Sequence, residues 1–489
     1  MNEMMKRHAH QVEKQDSTYK IGQVVSQDGK IAIGKIGWIV RIVTLAGYVG
    51  MVSYFAYVGI LTFNLFILLS ILMPLTNFIT LFTGWIFYRN PTKSTIENNE
   101  LVSVVIPVYN QESMIRRVID VIYTSTYKNF EVVVVNDGST DGTKEVLDEM
   151  AKTGEYPELK IIHKKNEGKR RAVAAGFYES KGRYVVFIDS DSIIDKNSIE
   201  EFVKCFEYDS KIGGAVGHVK VLNARKNFLT KCQDAWYDFS FNILRTCESK
   251  LDNVTCLAGC LAAYRREAIE NFIPYWAASP KQRFGTDREL TSYLIAPTSV
   301  KTSLHNIFGD KSWVHLSQRL MDSMANYDDS EDRALTAHST LKWKSVYVAS
   351  AIAFTDAPES LRQFTKQQIR WKKGYLRANF FVSSYFWRKP PLVAFIFYMH
   401  FMSTLITPLA NFATFFYVPI VLGNWMWPIT VLGITFITGF VEGLDYRYRD
   451  RRAKNWIYKP FSIILNQVVI SWLIFAAIID YRRNAWKTR

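Results

Sequence analysis

The chain has 489 residues and a formal net charge of +15. That length allows more than one compact unit, and long charge-free runs exclude an ordinary soluble globule. The basic excess gives no support to a nucleic-acid partner, since no basic reader helix accompanies it.

The first 35 residues are polar and charged, and the stretch 1–40 lacks a short apolar core followed by a small-residue cleavage site. That stretch reads as a cytosolic N-terminal segment, not a signal peptide. From Ile42 to Tyr88 no Asp, Glu, Lys or Arg occurs, a run of 47 residues. One crossing takes about 20 apolar residues, so 41–90 is expected to form a transmembrane hairpin. From Pro390 to Val441 there is a second such run, of 52 residues, expected to form another hairpin over 391–442. Lys35, Arg41, Arg89, Lys93, Arg388, Lys389 and the Arg447–Lys454 cluster flank these runs. Basic flanks favour the cytosolic side, which places the large middle segment, 98–372, in the cytosol at a cell membrane.

That middle segment holds all five cysteines, Cys205, Cys232, Cys247, Cys256 and Cys260. None shows paired CxxC spacing, and cytosolic thiols stay reduced, so neither zinc nor disulfides are expected. Four β-rich stretches open the segment: LVSVVIPVYN, FEVVVVNDGST, LKIIHKKNEGK and RYVVFIDSDS. Helix-compatible residues at 112–125, 142–153 and 168–180 separate them. Near-continuous Val and Ile strands alternating with helices predict a parallel sheet covered on both faces. Ligands bind such sheets beyond the carboxyl ends of the strands. Asn110, Asp137, the NEGKR turn, and Asp189 with Asp191 all fall there. Asp189 and Asp191 are one residue apart on an extended segment, so both carboxylates can face one spot, where a cation would relieve their repulsion.

The stretch 373–390 is expected to be an interfacial helix. A basic loop, an apolar segment and a basic tail make up 443–489. The apolar part, 460–479, is long enough to cross but has basic residues at both ends and Asn466 and Gln467 near its middle. It reads as re-entrant, returning the tail to the cytosol.

The pattern resembles the family 2 inverting glycosyltransferases with a GT-A fold. The resemblance implies an α/β GT-A domain inserted between transmembrane helices, about four crossings with interfacial and re-entrant helices besides. It also implies a UDP-sugar donor and Mg²⁺ or Mn²⁺. Asp137 in VNDGST matches the carboxylate that holds the uracil, and Tyr109 falls in the same donor site. Lys169 matches the cation that meets the diphosphate, and Asp189 and Asp191 match the DxD pair, whose second member holds the metal. Gln367, Arg370 and Trp371 in QQIRW match the QxxRW motif of processive members. Arg370 would clamp the leaving diphosphate and Trp371 would offer a flat face to the acceptor sugar.

Two similar segments compete for the general base, GTDRELT at 285–291 and SEDRALT at 330–336. The second leaves 33 residues between Arg333 and Gln367, the first 78 between Arg288 and Gln367. The shorter gap fits one strand and one helix, so Asp332 is the expected base, with Glu331 beside the acceptor. Asp287 is expected to be structural or on the surface.

VGHVKVLN, VTCLAGCLAAYRRE, SEDR, QQIRW and the terminal RNAWKTR, in that order, resemble the hyaluronan synthase and chitin synthase branch over about 40–489. Cys256 keeps the position beneath the acceptor sugar. Trp486, Thr488 and Arg489 match the WGTR that closes over the donor, with Lys487 in place of glycine. Ala258, Gly259 and Cys260 stand where the family has Ser-Gly-Pro, and 275–328 is an insert. Both departures leave sugar identity open. The implied activity is processive polymerisation into a β-linked polysaccharide secreted through the enzyme's own membrane channel, possible as an oligomer. A homopolymer synthase of chitin or β-glucan type, a non-processive transferase to a lipid acceptor, and an inactive scaffold are the alternatives. Asn77, His400 and Asn411 in the apolar runs could contact sugar or make helix–helix hydrogen bonds.

Overall fold

The computed structural model describes residues 25–26, 29–63, 68, 70–278, 285–295, 343–450 and 453–479. Among these residues one eight-stranded sheet forms, in the order β3-β2-β1-β4-β7-β6-β8-β5. The four β-rich stretches become β1 (Val102–Val108), β2 (Phe130–Asp137), β3 (Leu159–Lys164) and β4 (Tyr184–Phe187), all mutually parallel. The other half consists of β5 (Ser192–Ile194), β6 (Ile212–Val221), β7 (Ala262–Arg265) and β8 (Lys344–Thr355). There β7 runs antiparallel to both neighbours, and β5 runs antiparallel to β8.

Alternation along the strands feeds two cores. Val104, Ile106, Val132 and Val134 pack with Ile115, Val118, Ile119 and Ile122 of α3 (Ile115–Tyr123) and with Phe202 and Phe206 of α6 (Ser198–Tyr208). Val105, Val133, Val135 and Phe187 pack with Ala172, Val173 and Phe177 of α5 (Lys169–Glu179) on the opposite face. A sheet buried on both faces explains the unbroken Val and Ile runs. Between these, α4 (Thr143–Thr153) covers the β2–β3 connection.

Four helices among the described residues are long and apolar enough to cross a membrane. They are α1 (Lys35–Leu61), α11 (Pro391–Val421), α12 (Met426–Arg449) and α13 (Trp456–Ile479). The second arm of the first hairpin, α2 (Leu72–Phe87), has only 16 residues. At 24 residues α13 has a span of about 36 Å. Its first turns pack on α7 (Phe228–Asp238), while Ile474 and Ala477 near its end pack with Leu376 of α10 (Leu361–Phe386). Asn411 donates to the Gln467 carbonyl at 2.8 Å, His400 Nε2 lies 2.8 Å from Thr80 Oγ1, and Asn77 donates to the Tyr48 hydroxyl at 3.4 Å. All three therefore serve as helix–helix links.

The same helices grip the sheet domain. Arg449 at the end of α12 donates two bonds of 2.8 Å to Asp238 of α7, and Asn455 donates to Asp234 at 2.9 Å. Lys459 Nζ reaches the Ala235 carbonyl at 3.2 Å, and Lys220 of β6 pairs with Asp450.

His218 of β6 is buried beside the Tyr347 hydroxyl, and burial, then the Lys220 charge, lower its pKa to about 3. An unfolded chain with the ordinary value of 6.5 takes up a proton that the folded chain refuses. Stability is therefore expected to fall as pH drops below about 6.5, a loss that continues down to about 3. Melting curves in detergent across that range check this: His218→Gln should flatten the loss.

Candidate active site

The carboxyl ends of β1 to β4 carry the polar residues expected there. Asn110, in the left-handed region at φ 53°, accepts the Thr140 N–H at 2.8 Å and so ties the end of β1 to the turn after β2. Tyr109 beside it is exposed. Asp137 closes β2 and is buried. It accepts from Lys164 Nζ at 2.9 Å, from the Glu167 N–H at 3.0 Å and from the Gly168 N–H at 2.8 Å. One carboxylate thus shapes the whole NEGK turn and delivers Lys169 to the first turn of α5.

Lys169 Nζ pairs with Asp189 Oδ1 at 2.5 Å and stands 4.0 Å from Asp287 Oδ1. Burial alone would lower the Lys169 pKa, but Asp189 and then Asp287 raise it, so the ammonium stays charged. Burial pushes the Asp189 carboxyl up, and Asp287 and Asp191 add to the effect against the pull of Lys169. Burial lowers the Arg370 pKa, opposed by the attraction of Asp189, Asp287 and Asp191. These residues therefore share one electrostatic site, although the sequence spreads them from 169 to 370.

Asp287 is the main departure from the expectation. It sits neither on the surface nor in a structural role away from the site. It opens α9 (Thr286–Ile295), and its second oxygen accepts the Gly259 N–H at 3.0 Å. A Cβ at Gly259 would come within 2.9 Å of Asp287 Oδ1 and 3.1 Å of Lys169 Nζ, so any larger residue there would push both side chains aside. Gly285, at φ +74°, lets the start of α9 touch Gly374 of α10, where a Cβ would lie 2.9 Å from the Gly374 Cα. That contact holds Asp287 against the helix that carries Gln367, Arg370 and Trp371. Glu289, two residues on in the same turn, is buried and paired with Arg170 of α5, which anchors α9. Two signals pointed here: a glycine directly before the TDRE start of a helix, and an acidic residue inside its buried face.

Trp371 was expected to present a flat face. One face is stacked by Trp236 at 6.0 Å and 20°, and Tyr237 tilts against it at 6.4 Å. The aromatic wall is thus a pair, and the Trp236 contribution was not foreseen. Gln367 is half-buried, and its Oε1 has no hydrogen-bond partner among the described residues. Cys256 is half-buried, and burial raises its pKa while Arg288 and Arg245 oppose that. Asp332, Glu331, Trp486, Thr488 and Arg489 lie outside the described residues.

Asp189 and Asp191 offer the hard oxygen donors that Mg²⁺ or Mn²⁺ takes. Asp189 is half-buried, with its carboxyl pushed up first by burial and further by the neighbouring Asp287 and Asp191 charges, and three carboxylates around one Lys169 ammonium fit a divalent cation. Among the described residues no group of three His, Cys, Asp or Glu side chains already forms a cage.

Residues 103–273 match the Glycosyl transferase family 2 model. The chain is 27% identical to a hyaluronan synthase of Streptococcus pyogenes serotype M3, over 85% of this chain and 89% of that protein. It is 23% identical to hyaluronan synthase 2 of Heterocephalus glaber, over 59% of this chain and 52% of that protein. In three dimensions it is similar to a mannosyltransferase from Pyrobaculum calidifontis solved with GDP-Man and Mn²⁺. That match has TM-score 0.51 and 18% identity, covering 82% of this chain and 98% of the other.

Proposed function

Because residues 103–273 are a family 2 glycosyltransferase domain of a UDP-sugar-dependent enzyme, we propose that the chain is a processive, inverting polysaccharide synthase. It joins sugars from UDP-sugar donors into a β-linked polymer of the hyaluronan-synthase type. The observation that carries this reading is the convergence of Lys169, Asp189, Asp191, Asp287 and Arg370 at the strand ends, with Arg370 on a helix that packs against membrane-type helices.

The acceptor hydroxyl loses its proton to Asp287. Its oxygen attacks the anomeric carbon, the bond to UDP breaks, and the electron pair leaves with the diphosphate, inverting the centre. Arg370 meets the departing charge, the kind of electrostatic help that dominates such sites. Lys169 holds Asp189 and Asp287 in place and offsets their repulsion. A divalent metal, Mg²⁺ or Mn²⁺, would be held by Asp191 with Asp189 and would neutralise diphosphate charge. Tyr109 and Asp137 frame the uridine end, and Cys256 and the Trp236–Trp371 wall frame the acceptor. The domain faces the cytosol, α13 folds back toward it, and the polymer leaves between the membrane helices.

The test is purified enzyme with single and paired UDP-sugars and Mn²⁺, with UDP release and product size measured. A long, β-glycosidase-sensitive polymer is expected. Products of one sugar on a lipid would sink processivity. Polymer from one donor alone would assign a homopolymer.

A further inference from the structure

The loop from Val254 to Leu261 joins the helix that carries Asp287 to the aromatic wall. Toward the wall, Cys260 packs in one cluster with Trp236, Tyr237 and Trp371. Toward α9, three hydrogen bonds fasten it. The Leu257 N–H reaches Thr291 Oγ1 at 2.9 Å, the Gly259 N–H reaches Asp287 Oδ2 at 3.0 Å, and Arg288 Nη1 donates to Thr255 Oγ1 at 3.0 Å. Residues 287, 288 and 291 span little more than one turn of α9, so the base and the loop are held by the same turn.

Within that set, Arg288 also reaches a second helix. Its guanidinium lies over the Tyr375 ring at 5.0 Å and 3.5 Å from Asn379 Oδ1, both on α10. Thr255 passes the bond on, donating to Glu248 of α8 (Leu244–Lys250) at 2.6 Å. Arg288 is half-buried, and its partners are a hydroxyl, an amide and a ring, not a carboxylate. A planar guanidinium holds several partners at fixed angles, which an ammonium does not. Its place in the fold is therefore geometric: it fixes the loop, α9 and α10 against one another beside the group that takes the proton.

Resting on the transferase reading above, we propose that Arg288 is a positioning residue that holds the 254–261 loop against α9, so that the acceptor hydroxyl, and not water, is aligned with Asp287 and the anomeric carbon. Transfer to a bound acceptor depends on that alignment, and a misplacement of about 1 Å costs on the order of a hundredfold. Water needs no such loop. With the loop loosened, a water gives its proton to Asp287, its oxygen bonds to the anomeric carbon as the bond to UDP breaks, and free sugar and UDP leave.

The test uses the full chain in detergent with Mn²⁺ and the UDP-sugars that the parent polymerises, measuring UDP released, sugar in polymer and free sugar. Arg288→Met should lower polymer formation about tenfold and raise free sugar per polymerised sugar about fivefold, with KM for the UDP-sugar within about threefold of the parent. Thr255→Val should shift the ratio the same way, about threefold, while Thr255→Ser, which keeps the hydroxyl, should match the parent. Melting curves confirm that each variant is folded, and if Arg288→Met is not, the Thr255 pair decides. Polymer and free sugar falling together in Arg288→Met, or Thr255→Ser no better than Thr255→Val, overturns the proposal. A parent that releases no UDP would sink the transferase reading itself, whereas an active parent with unchanged ratios in the variants sinks only the role of Arg288.

Discussion

Asp287→Asn is expected to lower turnover by about a hundred- to ten-thousandfold, the usual worth of a positioned general base. The amide keeps the shape and can still accept the Gly259 N–H, made at 3.0 Å in the native protein. The fold and the Gly259 loop should therefore survive, while the proton has nowhere to go. Binding of UDP-sugar, followed by calorimetry, should change less than about threefold, so the loss falls on kcat rather than on KM. Asp332→Asn provides the contrast and should retain activity within about threefold. An inactive Asp332 variant beside an active Asp287 variant would return the role to Asp332 and break the link between the Lys169 cluster and proton transfer.

The second large effect concerns stability. Asp238→Asn leaves the Arg449 guanidinium facing an amide inside a buried network that also holds Asp445 and Arg41. Breaking a buried pair from one side costs about 3–5 kcal/mol, because the remaining charge is stranded away from water. The melting temperature in detergent should fall clearly, with UDP-sugar affinity unchanged in whatever remains folded. Asp238→Asn combined with Arg449→Gln should recover part of the loss, as a double-mutant cycle would read. A single variant as stable as the parent would show that the pair contributes nothing net.

Half of the sheet was legible because β1 to β4 are dense in Val and Ile and end on turn residues. The other half was not. β6 is interrupted by Gly213, Gly214 and Gly217, and β7 reads AAYR, so neither shows a strand period strong enough to stand out. The Gly positions leave room for what packs behind: a Cβ at Gly214 would lie 2.7 Å from the Leu294 side chain of α9. Asp137, Lys169 and the Asp189–Asp191 pair were readable because each sits directly after a strand or opens a helix. Asp287 was not. Its partners lie 118 and 98 residues earlier in the chain, at Lys169 and Asp189, and sequence spacing sets no limit on such approaches. The gap to QQIRW could not bring Asp287 to notice for the same reason, since the Gly285–Gly374 contact brings distant segments together, while Asp332 lies outside the described residues. The polar residues of the apolar runs allowed two readings from sequence alone, and only the partners of Asn77, His400 and Asn411 choose between them.

The grip of α12 and α13 on α7 has a mechanical meaning. Arg449, Asn455 and Lys459 fasten the last turn of α7, from Asp234 to Asp238, and Lys220 with Asp450 fastens the adjoining strand. Those buried ion pairs and hydrogen bonds resist rocking of the sheet domain on its membrane-type helices. Whatever stroke accompanies each turnover must be small and must arise in the loops at the strand ends, with the depth of the reacting centre beneath the bilayer held constant.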